Sequence, residues 1–102
     1  MLNQIIVVGR LVSDPEIKET KNGKKVTDIT LAVPRSYRNK EGVYDTDFIP
    51  VRLFAKIAET TNEYCKKGDL VGAKGRVARL SGENLEIIAE KVTFLSSRKE
   101  NE

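Results

Sequence analysis

The segment at residues 4–12 limits the fold of this chain most, because it is apolar on both faces of a predicted β-strand. Ile5 and Val7 lie on one face, and Ile6 and Val8 lie on the other. A strand that is apolar on both sides is normally covered on both sides. The chain has 102 residues, which is enough for one domain with one core. The second face is therefore expected to be covered by a bend of the same sheet or by another subunit.

Residues 25–34 and 48–55 alternate between apolar and polar side chains, a pattern typical of strands with one buried face. Between them, residues 35–47 are polar and predict a long loop or a hairpin arm that extends beyond the sheet. In the second segment the inward positions are Ile49, Val51, Leu53 and Ala55, and the outward positions are Phe48, Pro50, Arg52 and Phe54. Two phenylalanines and an arginine on the outward face are unexpected for a plainly solvated sheet.

A single helix is predicted over residues 56–67, followed by Gly68 as its C-cap. Apolar and small side chains recur there at helical spacing, namely Ile57, Thr61, Tyr64 and Cys65. Cys65 is expected to pack as a small hydrophobic side chain on this stripe.

Two further strands are predicted at residues 69–80 and 85–95, joined by a tight turn, and a short edge segment is expected at 16–20. The polar residues 97–102 are expected to form a disordered tail outside a domain of residues 1–96. Five main strands with one helix between the third and fourth match the OB-fold, an all-β, five-stranded Greek-key barrel.

Composition excludes most catalytic classes. The sequence has no histidine and one cysteine, so it offers no Cys/His zinc site, no histidine-based triad and no internal disulfide. Residues 72–75 match the GxxG clamp of KH domains, but a strand pattern surrounds them, so the match is interpreted as accidental. No apolar run approaches the length of a membrane helix, and the start lacks the features of a secretory signal. A cytoplasmic binding domain without metal or cofactor is therefore expected rather than an enzyme.

The aromatic and basic residues indicate what is bound. Binding single-stranded nucleic acid without sequence preference requires aromatic faces on which bases stack and cations that follow the phosphates. Three parts of the chain supply such residues: Tyr37 with Arg35 and Arg38 on the arm, Phe48 and Phe54 with Arg52 and Lys56 on the outward strand face, and Lys74 and Arg76 on the neighbouring strand.

Two plainer interpretations stay open on the residues alone. Phe48 and Phe54 are core residues if the predicted inward and outward faces are exchanged, although this leaves unexplained why Arg52 shares their face. Tyr37 is an ordinary surface tyrosine if the arm does not contact nucleic acid.

Several motifs occur in the order found in bacterial single-stranded DNA-binding proteins, which this chain closely resembles. They are residues 3–16 (NQIIVVGRLVSDPE), Asn22-Gly23, residues 29–32 (ITLA), residues 35–38 (RSYR), residues 53–59 (LFAKIAE), residues 64–68 (YCKKG) and Gly75-Arg76. No single motif is decisive, but their joint order is highly specific, and the match covers residues 3 to 80 well.

The resemblance implies an OB-fold that assembles as a homotetramer wrapped by single-stranded DNA. The family's stacking aromatics fall on Tyr37, Phe48 and Phe54. The residues expected to contact phosphates are Arg10, Arg35, Arg38, Arg52, Lys56, Lys67, Lys74 and Arg76. The second apolar face of the first strand puts Ile6 and Val8 at the expected subunit contact. The expected role is protection of single-stranded DNA during replication, recombination or repair, in the cytoplasm at the nucleoid.

Three departures from the family pattern bear on function. The turn near residues 81–84 is shorter than the family's usual hairpin, and Pro50 occupies a commonly basic or polar position. The acidic tip through which the family recruits replication and repair enzymes is absent from this sequence, which puts docking through it in doubt and leaves replication and repair proteins open as partners. An alternative is therefore a tail-less, primosome-type OB-fold dimer that acts mainly through protein partners. A third possibility is an OB-fold that binds oligosaccharide or protein, which the shared location of basic and aromatic residues disfavours.

Overall fold

The computed structural model describes residues 1–79 and 82–96, which form six strands and one helix. In chain order these are β1 (Ile5–Leu11), β2 (Lys18–Glu19), β3 (Lys25–Arg38), β4 (Tyr44–Phe54), α1 (Ala55–Tyr64), β5 (Leu70–Ala78) and β6 (Glu86–Phe94). β2 lies within the short edge segment expected at residues 16–20. The predicted tail at 97–102, and residues 80 and 81 of the predicted strand and turn, lie outside the described residues.

Five of these strands close into a barrel. β1 pairs antiparallel with both β3 and β5, β3 pairs antiparallel with β4, and β5 pairs antiparallel with β6. A parallel pairing of β4 with β6, in which Arg52 lies opposite Ile88, completes the circuit. β2 pairs antiparallel with β3 at the edge of the described sheet. Because α1 lies between the third and fourth barrel strands, this topology is the OB-fold, and the predicted fold is confirmed.

Alternate side chains of the strands fill the barrel interior. Ile29 and Leu31 of β3 and Val51 and Leu53 of β4 are all buried, at the inward positions that the alternation predicted. Successive side chains of a strand point to opposite faces. The outward positions of β3 and β4 therefore form a separate surface that the core does not use.

Gly9 and Gly75 permit the close backbone approaches that barrel closure requires. A Cβ atom at Gly9 would lie 2.6 Å from the carbonyl oxygen of Ala32, and one at Gly75 would overlap the carbonyl oxygen of Ile88. Gly9 lies where β1 passes from β5 to β3, and Gly75 lies at the register shift between β5 and β6. Only glycine fits at these crossings without a backbone shift.

The helix differs from the prediction at its start. It begins at Ala55, and this residue is exposed with a φ of 54°, so the prediction that Ala55 points inward is wrong. The backbone leaves the extended conformation of β4 at this residue, which turns the methyl group away from the barrel.

The helix also ends earlier than predicted, at Tyr64 instead of Lys67. The backbone N–H of Lys67 donates to the Asp14 carboxylate at 2.7 Å, and that of Gly68 donates to the carbonyl oxygen of Leu11 at 2.8 Å. These amides therefore hold a turn against the end of β1 and are not available to a further helical turn. Beside this turn, Cys65 is buried in the core as expected, whereas the Tyr64 ring is exposed.

The predicted arm is a hairpin in which β3 and β4 extend beyond the barrel. At its tip, Oδ1 of Asn39 accepts hydrogen bonds from the backbone N–H groups of Glu41 and Val43, at 2.9 and 3.0 Å. Gly42 follows with a φ of 80°, a conformation that favours glycine. The arm is thus a two-stranded ribbon, and the pairing of β3 with β4 fixes which side of the ribbon each side chain occupies.

Candidate nucleic-acid interface

The outward face of β3 and β4 carries the first of the predicted stacking residues. Phe48 lies opposite Ala32 in the β3–β4 register and is 64% exposed. Val51 and Leu53 on the same strand are buried. The structure therefore places the Phe48 ring on the solvent side of the sheet, as the alternation predicted.

Phe54 shares this outward face but is half-buried. It is the last residue of β4 and lies opposite Val26, which is itself buried. The expectation that both phenylalanine rings face solvent is therefore met fully at position 48 and only in part at position 54.

The arm presents two exposed tyrosines. Tyr37 is 65% exposed and lies in a stretch of β3 where the register with β4 shifts, between Pro34 and Arg38. The Arg38 guanidinium lies 5.4 Å from the centroid of the Tyr44 ring, within cation–π range. Sequence analysis assigned Tyr44 no role, although the hairpin register places it opposite Arg38.

Arg10 and Phe48 belong to one continuous surface. Arg10 lies opposite Ala32 across β1 and β3, and Ala32 lies opposite Phe48 across β3 and β4. Neighbouring strands are about 4.8 Å apart, so the arginine and the ring extend from backbone positions about 10 Å apart. A groove of about 290 Å³ at Arg10 is lined by Arg10, Ala32, Pro34 and Thr46, among others. Nη1 of Arg10 also donates to the carbonyl oxygen of Gly68 at 3.0 Å, which anchors the guanidinium at the edge of this surface.

Two of the predicted phosphate-binding arginines are paired with carboxylates on β4 and β6. Arg35 forms a bidentate pair with Asp47, whose closer contact is 3.0 Å, and lies 3.7 Å from Asp45. The hydrogen bond from Arg35 lowers the pKa of the Asp47 carboxyl, and the same pairing raises the pKa of Arg35. Arg76 lies 3.4 Å from Glu90. Both pairs are exposed, so a phosphate would have to compete with a carboxylate held nearby.

Arg52 is compensated by two carboxylates. Its Nε and Nη2 atoms donate to the two oxygens of Asp28 at 2.8 and 3.2 Å, and Nη1 lies 3.3 Å from Glu86. The hydrogen bond to Asp28 raises the pKa of Arg52. Sequence reasoning missed both acidic partners. The hairpin register, which pairs position 28 with position 52, could have identified Asp28, whereas Glu86 is brought in by the long-range pairing of β4 with β6.

Three of the predicted lysines are exposed, and none forms an ion pair within residues 1–79 and 82–96. Lys56 begins the solvent-exposed side of α1, Lys67 lies in the turn after α1, and Lys74 lies on β5 opposite Ile6 of β1. β5 pairs with β1 and β6 and not with β4 among the described strands, so Lys74 and Phe48 lie on strands that are not neighbours.

The predicted subunit contact forms an exposed apolar patch, which consists of Ile6, Val8 and Leu95 around Gly72. Ile6 is 65% exposed and Val8 is 45% exposed, although Val7 between them is buried. A Cβ atom at Gly72 would lie 3.4 Å from Leu95 and 3.6 Å from Val8. Because glycine has no side chain, only its backbone lies between these two residues. Within the described residues nothing covers this patch.

Two negative findings concern the described part of the chain. None of its helices is long and apolar enough to cross a membrane. It also contains no group of three or more potential metal-ligating side chains.

Comparison with known proteins shows which family this chain is similar to. The model of the single-strand binding protein family matches residues 2–95. Single-stranded DNA-binding protein B of Bacillus subtilis is 40% identical over 106 residues, which cover 96% of this chain and 94% of that protein. Single-stranded DNA-binding protein 1 of Staphylococcus aureus is 40% identical over 110 residues, which cover all of this chain and 70% of that protein. The single-stranded DNA-binding protein of Halalkalibacterium halodurans is 42% identical over 106 residues, covering 96% of this chain and 63% of that protein.

Proposed function

This chain belongs to the single-strand binding protein family, and we propose that it binds single-stranded DNA with little sequence preference and protects it during replication, recombination and repair. The observation that carries the proposal is the exposed Phe48 ring on one continuous outer surface with Arg10. An aromatic face and a cation side by side suit a base and its phosphate. The protein thus acts by binding, in the cytoplasm at the nucleoid, and not as an enzyme.

In the proposed complex, bases stack on Phe48, on Tyr37 of the arm and on the accessible part of Phe54. Every base has a π-face, so stacking of this kind tolerates any sequence. The proposed phosphate contacts divide into unpaired lysines and arginines with existing partners. The unpaired lysines are Lys56, Lys67 and Lys74. The arginines that already have a partner are Arg10, Arg35, Arg38 and Arg76. Arg52 differs from all of these because each of its three guanidinium nitrogens lies within 3.3 Å of a carboxylate oxygen.

A direct test is fluorescence anisotropy with a labelled oligo-dT, with the oligo-dT·oligo-dA duplex as the matched control. The single strand is expected to bind much more tightly, because a duplex hides the base faces that stacking requires. Equal affinity for strand and duplex, or no binding of the strand at micromolar protein, would contradict the proposal.

Affinity for the single strand is expected to fall as salt rises. Each phosphate that a lysine or arginine neutralises releases condensed counterions, which gives a slope of about −0.7 in log affinity against log salt for each contact on a single strand. The measurement is a titration of oligo-dT at four or more salt concentrations. An affinity that does not change with salt would mean that these basic side chains are only solvated surface.

We propose further that the chain assembles as a homotetramer, and that the apolar patch of Ile6, Val8 and Leu95 forms one of its subunit contacts. The support is that β1 exposes apolar side chains on one face while its other face is buried in the core. Exposed contiguous apolar surface of this kind marks interaction sites. We expect this contact to be isologous, because closed homo-oligomers are usually built from twofold contacts. One isologous contact joins two subunits, so the tetramer requires a second contact elsewhere on the surface.

The substitution Val8→Glu is expected to break up the assembly, because it places a charge on the patch that the interface would bury. The measurement is the molar mass by light scattering at micromolar concentration. Val43→Glu is the control, since Val43 is an exposed valine at the tip of the arm, outside the patch. A wild-type protein that is monomeric, or a Val8→Glu variant with the wild-type mass, would refute the proposed interface.

A further inference from the structure

Arg52 lies between the two phenylalanines on the outward face of β4, and its surroundings do not suit a phosphate. The side chains of Asp28, Glu86 and Arg52 together carry a net charge of −1. All three guanidinium nitrogens lie within 3.3 Å of a carboxylate oxygen. A phosphate that approached the N–H edge of this guanidinium would meet two carboxylates already in place. The edge of the group is therefore largely occupied.

The guanidinium group offers its flat faces instead. Bidentate pairing with Asp28 on one side and Glu86 on the other fixes the orientation of the plane, and the Arg52 side chain remains 35% exposed. A cavity of about 250 Å³ opens beside it, lined by Arg52 with its two acidic partners and by apolar side chains that include Pro50 and Leu85. A planar cation beside apolar walls suits a nucleobase, which can stack on an arginine plane as it does on an aromatic ring.

The spacing along β4 supports this role. Phe48 and Phe54 are six residues apart, which is about 20 Å along an extended strand. Arg52 lies on the same face, and its backbone position is about 13 Å along the strand from that of Phe48 and about 7 Å from that of Phe54. A guanidinium plane at this position divides the long gap between the two rings.

We propose that Arg52 is a stacking plane for one nucleobase in the cavity beside Pro50 and Leu85, and that Asp28 and Glu86 are positioning residues that hold it. The proposal rests on the proposed binding of single-stranded DNA and replaces the expected phosphate contact at Arg52 with a base contact. The two roles predict opposite effects of removing the Asp28 charge on the affinity for oligo-dT. A phosphate contact at Arg52 predicts tighter binding, whereas a stacking plane held by Asp28 predicts weaker binding.

The test compares Arg52→Lys, Arg52→Gln and Asp28→Asn with the wild type in titrations of oligo-dT across salt concentrations. Lysine keeps the charge but has neither the plane nor the bidentate edge. Both Arg52 variants are therefore expected to bind about two- to thirtyfold more weakly, the range of a cation–π contact, with the salt slope unchanged. Asp28→Asn frees the guanidinium to turn and is expected to bind more weakly than Glu63→Gln. The latter is the control, because it makes the same change in charge on α1, and Glu63 forms no ion pair among the described residues.

Three results would overturn the stacking role. The first is wild-type affinity in Arg52→Lys. The second is a salt slope shallower by about 0.7 in Arg52→Gln, which corresponds to the loss of one phosphate contact. The third is tighter binding of oligo-dT by Asp28→Asn than by Glu63→Gln. Thermal unfolding of each variant checks that the barrel is intact, and Asp28→Asn provides a test that leaves Arg52 in place. If the wild-type protein does not bind oligo-dT at all, the proposed function fails. If the wild type binds and Arg52→Lys binds equally well, only the stacking role fails.

Discussion

Replacing Phe48 with alanine is expected to weaken binding of oligo-dT by about 1–3 kcal/mol, which is a roughly five- to 150-fold rise in Kd. The ring is 64% exposed and lies opposite the small Ala32, so its removal takes away a base-stacking face and opens no hole in the core. The thermal midpoint is therefore expected to stay close to that of the wild type. The two measurements are an anisotropy titration and a thermal unfolding curve on the same preparation.

Phe94→Ala is the matched control for this substitution. Phe94 is also an exposed phenylalanine, but it lies at the end of β6, where its ring centroid is 6.1 Å from that of Tyr64. Its removal is expected to leave the affinity for oligo-dT unchanged. Equal losses of affinity at positions 48 and 94 would show that the effect is not specific to the outward face of β3 and β4.

Period-two alternation was enough to predict which face of β4 each side chain occupies. The inward positions Val51 and Leu53 and the outward position Phe48 all lie where the pattern placed them. This succeeded because a residue's face in a strand depends only on its parity, and Arg52 on the Phe48 face favoured this assignment over the inverted one. The OB-fold followed from the order of the elements, which is itself a sequence property.

The predicted helix end failed for a reason that the local sequence does not contain. Lys66-Lys67-Gly68 is a good helix C-terminus by composition, but the amides of Lys67 and Gly68 donate to Asp14 and Leu11, more than fifty residues earlier in the chain. Helical spacing cannot anticipate a turn that is held by a tertiary hydrogen bond.

The same limit applies to the charges of the candidate site. The sequence pattern assigned basic residues to strand faces, but it did not identify the carboxylates that pair with these residues. Asp28 was within reach of prediction, because it and Arg52 occupy opposed outward positions of one hairpin. Glu86 lies on β6, which reaches β4 only through the parallel pairing that closes the barrel. The second compensating charge at Arg52 is thus a property of the closed barrel.

Replacing Leu53 with alanine is expected to have the opposite effects to Phe48→Ala. Leu53 is fully buried on the inward face of the same strand, five residues further on. Truncation of a buried leucine costs about 2–5 kcal/mol, because it loses apolar burial and leaves a cavity. For a domain of about 100 residues, that lowers Tm by roughly 10 °C or more. The affinity of the folded fraction for oligo-dT is expected to stay at the wild-type value, because the outward surface keeps all its side chains.

The pair of variants therefore decides how β4 is oriented in the sheet. Unfolding is compared at one protein concentration, since assembly stabilises the folded chain by mass action. Loss of affinity with intact stability at position 48, together with loss of stability with intact affinity at position 53, requires Phe48 outside and Leu53 inside. The exchange of the two effects would mean that the sheet is inverted, which would remove the stacking surface on which the proposed function depends.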